Sequence, residues 1–331
     1  MKPLEVMATL WPDMPHYRDF AKDDRLSGIR LNTTGRTVER MADDLKQALD
    51  AGDVPLYFDV KGRQLRVTQV ADRQDRLELT LNHPISVNTP TPVIFKAGND
   101  AALLETVEDD GYTLLFKGGP QYLVRPGESL HIRDPTLEVH GPVFTDDQIK
   151  FLEIAKQHGI SRYMLSYVGS MDEIAQMRKY VGNAEIIAKI EDGKGLRFTQ
   201  REYAKQPNLG LLAARGDLYV EVKKPHHILE ATKKIIRADP DAIAGSRILL
   251  SLGKESVPSC ADINEIAWLI DQGYHRYMFC DDLCFKPKAL DQAINVLHAV
   301  YNEYGALAES EAAYGMPNTL KTPTKKWFSL K

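Results

Sequence analysis

Strand-length apolar runs alternate with amphipathic helical stretches on either side of one all-β stretch. This predicts an α/β fold, a TIM (β/α)8 barrel carrying a small inserted all-β lid domain. The alternation itself is the first observation, over residues 1–66 and again over 143–308. The second is the change of pattern at 67–142, where short runs at 77–81, 92–95 and 112–116 are punctuated by Gly118-Gly119-Pro120 and Pro126-Gly127. The third is that polar residues gather where the barrel strands run out, the end at which such barrels place their chemistry.

In order, the first barrel part (1–66) holds a strand at 4–10, a short helical segment, a strand at Gly28–Asn32, a helix at 38–51 and a strand at 55–60. After the lid (67–142), Thr145-Asp-Asp-Gln148 and Ser170-Met-Asp-Glu173 read as capping boxes that open helices. Apolar strands follow at 162–167, 184–190 and 209–214. The second barrel part closes with a helix at about 289–304, and 309–331 is a polar, Pro-broken tail ending near Trp327-Phe328. That tail is expected to be loose or to dock on a neighbour.

A chain of 331 residues with 43% hydrophobic and 27% charged residues fits a globular protein of two domains. A net charge of −4 gives no basic footprint for nucleic acid. The N-terminus lacks an apolar signal core and no run reaches the 18 apolar residues of a membrane span, so no membrane role is expected. The three cysteines, Cys260, Cys280 and Cys284, lack disulfide spacing, and a cytoplasmic, reduced setting is expected.

The most informative stretches are Ala188-Lys189-Ile190-Glu191-Asp192 and Ala214-Arg215-Gly216-Asp217-Leu218, each at the end of a strand. Residues two apart in a strand share a face, so Lys189 and Glu191 point the same way. A Glu and an Asp from neighbouring strand ends offer hard oxygen ligands for Mg²⁺, and a Lys beside them can stabilise a phosphoryl group or an enolate. Other strand ends contribute Trp11, Arg30, Asn32, Asp59, Lys61, Ser166, Arg215, Ser246, Arg247, Asp281 and Asp282. For Asp281-Asp282 the default expectation is a helix-start cap. Cys280 and Cys284 alone lack two ligands of a structural zinc site. His226-His227 after Pro225 is expected to open a helix in a solvated setting.

The chain resembles pyruvate kinase over most of the barrel. Gly28-Ile-Arg-Leu-Asn-Thr-Thr34 is similar to that family's Arg-x-Asn-Phe-Ser segment, and Phe58-Asp-Val-Lys-Gly-Arg-Gln-Leu-Arg66 to its Leu-Asp-Thr-Lys-Gly-Pro-Glu-Ile-Arg. The two strand-end motifs resemble its Lys-Ile-Glu-Asn and Ala-Arg-Gly-Asp-Leu-Gly-Val-Glu. Pro258-Ser-Cys-Ala-Asp262 is a degraded Pro-Thr-Arg-Ala-Glu, and the all-β insertion falls where the family carries its mobile lid.

The resemblance implies roles. Glu191 and Asp217 would hold Mg²⁺ or Mn²⁺, and Lys189 would neutralise charge on the transferring phosphoryl or the enolate oxygen. Arg30 and Arg66 would clamp the phosphate. The backbone N–H groups of Gly216 and Asp217 would hold the substrate carboxylate. Ser246 would help bind it and relay a proton. Asn32, Thr34 and Asp59 sit where the family binds K⁺. The substrates implied are phosphoenolpyruvate or pyruvate, with ADP as acceptor, and a homo-oligomer stays open.

Departures gather on the nucleotide and monovalent-cation side. The family's Ser-x-Gly-Glu-Thr-Ala is Phe279-Cys-Asp-Asp-Leu-Cys284 here, and its nucleotide-binding His is Gly35. Arg63 stands for a Pro, Gly169 for an Arg, and Ser246-Arg247 for Thr-Gln. With few residues after the last barrel helix, the family's C-terminal regulatory domain is not expected in this sequence. Three activities stay open: phosphoryl transfer from phosphoenolpyruvate to a nucleoside diphosphate; Mg²⁺–enolpyruvate chemistry without nucleotide, as a lyase, hydrolase or transferase; and metabolite binding by a non-catalytic paralogue.

Overall fold

A computed structural model of the chain describes residues 2–73 and 76–313. Three strands, β1 (Glu5–Thr9), β2 (Gly28–Asn32) and β3 (Leu56–Val60), begin a barrel, with α1 (Tyr17–Phe20) and α2 (Val38–Ala51) between them. Eight short strands follow: β4 (Val67–Arg73), β5 (Arg76–Leu81), β6 (Ile85–Ser86), β7 (Thr91–Phe95), β8 (Asp100–Glu108), β9 (Thr113–Lys117), β10 (His131–Ile132) and β11 (Glu138–Val139). The barrel resumes with α3 (Asp146–Gln157), β12 (Arg162–Leu165), α4 (Met171–Val181), β13 (Glu185–Ile190), α5 (Gly193–Arg201), β14 (Leu209–Ala214), α6 (Arg215–Glu221) and α7 (His227–Ala238). It finishes with β15 (Ile243–Gly245), α8 (Cys260–Asp271), β16 (Arg276–Met278), α9 (Asp281–Cys284) and α10 (Pro287–Ala313).

Strands β1, β2, β3, β12, β13, β14, β15 and β16 close into a parallel barrel, with β1 paired to both β2 and β16. The fold is therefore α/β, an eight-stranded barrel of the TIM class. The intervening strands form a six-stranded antiparallel sheet, ordered β10-β7-β8-β9-β5-β4, and a β11-β6 pair. Leu79, Val93, Phe95, Leu104, Leu114 and Phe116 give these strands an apolar core separate from the barrel's.

Strand parity decides what enters the barrel. Met7, Tyr57, Met164, Ile187, Leu212, Ile243 and Met278 pack into one inner cluster, while Ile186, Ala188 and Ile190 pack outward against helices. Thr9, Arg30, Asp59, Ser166 and Lys189 lie two residues beyond an inner position on their strands, so they form the next layer up, at the strands' C-terminal ends. Gly28 is required below Arg30, because a Cβ there would sit 2.7 Å from the Tyr57 ring.

Side-chain caps open α3, α5 and α8. Thr145 and Gln148 form a reciprocal capping box, and so do Ser259 and Asp262 at α8, within the degraded motif. Ser170 makes no side-chain cap bond; the Glu173 carboxylate instead accepts from Gly169 N at 2.7 Å. The second expected capping box is thus not formed. His226 opens α7 as its N-cap residue. No described helix is long and apolar enough to cross a membrane. Residues 314–331 of the expected tail, with Trp327 and Phe328, lie outside the described residues.

Candidate active site

The barrel mouth holds a buried charge network. Asp59 is fully buried, and its Oδ2 accepts from Arg30 Nε at 2.8 Å, Lys61 Nζ at 2.9 Å and Lys189 Nζ at 3.4 Å, with a further short contact to Arg30 Nη2. Burial opposes ionisation of Asp59, but the three cations overcome it and hold the carboxyl well below its ordinary range. Lys189 also donates to Ser166 Oγ at 2.8 Å. Burial works against its charge, yet Asp59 and Glu191 hold its pKa above the ordinary value.

Glu191 is placed differently. It is fully buried, and its Oε2 accepts from the Tyr167 backbone N–H at 2.8 Å. Tyr167 carries that N–H in the left-handed region, at φ 54°. Oε1 makes an ion pair with Lys189 Nζ at 3.0 Å and has no other partner among the described residues. Burial, then Asp217 and Asp59, push the Glu191 carboxyl up to about 7 against the pull of Lys189. Asp217, in the first turn of α6, stays one-third exposed, and its carboxylate lies 3.8 Å from His131 Nε2.

Glu191, Asp217 and Lys189 open onto one cavity of about 430 Å³ with Arg30, Arg66, Lys61, Asn32, Thr34 and Ser246. Ser246 sits in the left-handed region at φ 65° beside Gly216, where a Cβ would come within 3.3 Å of Ser246 Cβ. Arg66 spends its fork on Gln64 Oε1 (2.7 Å), the Gly127 carbonyl (2.6 Å) and Thr34 Oγ1 (3.2 Å). Arg30 is likewise engaged, by Asp59 and by Asp281 Oδ2 at 3.2 Å. The expected substrate residues other than Gly216 therefore line one cavity, though both arginines already have protein partners.

The expected K⁺ ligands have protein partners too. Asn32 Oδ1 accepts from Lys61 Nζ at 2.6 Å, Asp59 accepts from the same ammonium, and Thr34 Oγ1 accepts from Arg66. Burial first, then Lys189, Arg30 and Arg66, lower the Lys61 pKa to about 7 although Asp59 opposes them. Asp281 is no helix cap: its two oxygens take Arg30 and Asn32 Nδ2, the latter at 2.9 Å. Cys284 is buried, with Thr9 N donating to its Sγ at 3.4 Å. Arg215 is buried against Glu265 and the Ser246 carbonyl.

Three contributors escaped the sequence reading. Tyr167 presents its backbone N–H, which no side-chain pattern signals. Lys96, just after β7, and His131 of β10 come from the insertion, and His131 Nδ1 lies 2.7 Å from Glu221 Oε1 and 3.2 Å from the Tyr167 hydroxyl. Their distance in sequence from any barrel strand end hid them.

The residues fit a divalent cation. A buried carboxylate oxygen met only by the Lys189 ammonium faces the same cavity as a second, part-exposed carboxylate. Mg²⁺ needs only one or two protein carboxylates and completes its shell with water and substrate oxygens. Among the described residues no group of three or more His, Cys, Asp or Glu forms a closed metal centre.

No protein-family model matches the chain. Curated pyruvate kinases do. That of Methanocaldococcus jannaschii is 24% identical over 92% of this chain and 72% of its own length. That of Thermococcus litoralis is 25% identical over 84% and 65%, and that of Mycoplasma genitalium 22% over 75% and 56%. The chain is pyruvate kinase-like, and its match spans from over half to nearly three-quarters of these relatives' lengths.

Proposed function

We propose that the chain is a Mg²⁺-dependent enzyme acting on phosphoenolpyruvate or the enolate of pyruvate, with phosphoryl transfer to a nucleoside diphosphate as in the enzymes it resembles. The observation that carries this proposal is the buried Glu191 oxygen met only by the Lys189 ammonium, in the cavity that Asp217 also lines. A buried carboxylate oxygen with a single ion-pair partner keeps acceptor capacity, which fits a site completed by a ligand.

Each residue has a task there. Glu191 and Asp217 hold Mg²⁺ (Mn²⁺ would serve the same carboxylates), which neutralises charge on phosphoryl and enolate oxygens when bound. Lys189, fixed by Ser166 and Asp59, stabilises negative charge as it develops. Arg66 and Arg30 face the phosphate. The Gly216 and Asp217 N–H groups take the carboxylate, and Ser246 relays a proton to the enolate carbon. Burial between strands keeps Lys189 in place before substrate arrives, so little reorganisation accompanies the chemical step.

One observation favours a second activity, enolate chemistry without nucleotide. Asp281, within the segment that replaces the family's Ser-x-Gly-Glu-Thr-Ala, adds a second carboxylate to Arg30 and so weakens its hold on a transferred phosphate. A lactate dehydrogenase-coupled assay with phosphoenolpyruvate and Mg²⁺, run with and without ADP, separates the two. Pyruvate formed only with ADP supports phosphoryl transfer. Pyruvate formed without ADP supports the second activity. No pyruvate in either arm, with oxalate and Mg²⁺ leaving the melting temperature unmoved, contradicts both.

A further inference from the structure

The base of the β-insertion is a two-stranded ribbon with two unlike faces. Arg66 and Ser129 form an antiparallel bridge, and Val67 N donates to Glu128 O at 2.9 Å. Alternation then sorts the side chains. Gln64, Arg66 and Ser129 line the cavity of Lys189 and Glu191. Arg63, Leu65, Leu130 and Ile132 point the other way.

Behind the ribbon lies a second cavity of about 560 Å³, closed on its far side by α5, α7 and the segment after α6. Leu65, Leu130, Ile132, Leu137 and Val139 make its insertion wall apolar, and Leu196, Val222 and Ala231 extend that surface on the barrel. The volume suits a small organic molecule.

Six Lys or Arg side chains line this cavity against four Asp or Glu. Its carboxylates are engaged: Glu221 with His131 at 2.7 Å, Asp192 with Gly195 N at 2.7 Å, Asp134 with Thr136 at 2.6 Å, and Glu230 with Lys234 at 2.8 Å. Arg133, Lys194, Arg197 and Lys223 also line it. Among the described residues, none of these four has a side-chain hydrogen bond or a carboxylate within 4.0 Å. Arg63 Nε is buried at the same wall without a partner. Solitary surface cations are ordinary; here four exposed ones rim a single apolar-walled hollow.

We propose that this cavity is a second ligand site, for an anion with an apolar body, such as an aliphatic or aromatic carboxylate or sulfonate. It shares no lining residue with the cavity of Lys189 and Glu191, and it does not depend on the reaction assigned there. The apolar body would lie on Leu130 and Ile132, and the anionic group would face Lys194 and Arg197.

The test is fluorescence titration of the full chain with 8-anilinonaphthalene-1-sulfonate, an anionic aromatic probe. Saturable binding of one probe per chain is expected, reversed by octanoate and not by inorganic phosphate at equal concentration. Lys194→Glu with Arg197→Glu should weaken the probe at least tenfold without lowering the melting temperature. Reversing Lys150 and Lys156 on α3 should leave it unchanged. Leu130→Asp should weaken it as well, and if that variant fails to fold, the charge reversals still decide. Non-saturating binding, displacement by phosphate as effective as by octanoate, or undiminished affinity in the Lys194/Arg197 variant overturns the proposal.

Discussion

The two sides of the barrel mouth treat charge in opposite ways. On β2 and β3, Arg30, Asp59, Lys61, Asn32 and Asp281 answer one another within hydrogen-bond reach. At the end of β13 and the start of α6, Glu191 keeps an oxygen met only by the Lys189 ammonium and Asp217 stands part-exposed. Both sides began with similar polar strand ends. The difference shows that charged residues converging at strand ends do not all await a ligand: one set is completed by the protein, the other is not. Lys189 belongs to both, tied to Asp59 on one side and to Glu191 on the other.

The largest expected effect falls on that shared residue. Lys189→Ala should lower kcat/KM in the coupled assay by on the order of a thousandfold, since one preorganised charge-stabilising group contributes that much. A loss under threefold would break its place in the chemistry. Next comes the completed side. Asp59→Ala leaves Arg30, Lys61 and Lys189 buried around a missing anion, and urea unfolding should show a loss of about 3–5 kcal/mol. Stability unchanged within error would mean that the network is not what holds β2 and β3 together.

Glu191→Gln should act in the opposite direction. Burial holds the carboxyl at about 7, above its ordinary 4.5, so the folded chain binds more protons than the unfolded one between those values. Metal-free stability therefore falls as pH rises from 4.5 to 7, and the full cost remains above 7. Removing the acid should raise metal-free stability at pH 8 by about 1–3 kcal/mol and flatten that slope. A destabilised Glu191→Gln would show that the carboxylate serves packing. The smallest effect is on binding. Because Mg²⁺ requires the ionised carboxylate, its affinity should rise about tenfold per pH unit below 7 and level off above. A flat profile would place the metal elsewhere.

Much of the barrel was legible because its strands are short apolar runs whose parity also fixes the inner layer. Ile187 and Lys189 share a face, and so the charged layer could be read from one strand and extended to the rest. The Lys189, Glu191 and Asp217 grouping was legible for the same reason. What could not be read was pairing across the mouth. Asp281 lies more than 200 residues from Arg30 and Asn32, and only closure of the barrel makes it their partner rather than a cap. The same holds for Lys61, which takes two oxygens expected to bind K⁺. Ser170 shows a local limit: its motif fits a capping box, but Glu173 finds Gly169 N instead.

The most direct measurement is calorimetric titration of Mg²⁺ in the presence of oxalate, an enolpyruvate mimic, into the chain and into its Glu191→Gln and Asp217→Asn variants. One site per chain, weakened at least tenfold in each variant, is the expected result. Undiminished affinity in either variant would contradict the assignment of the open side of the mouth as the metal and enolate half of the site.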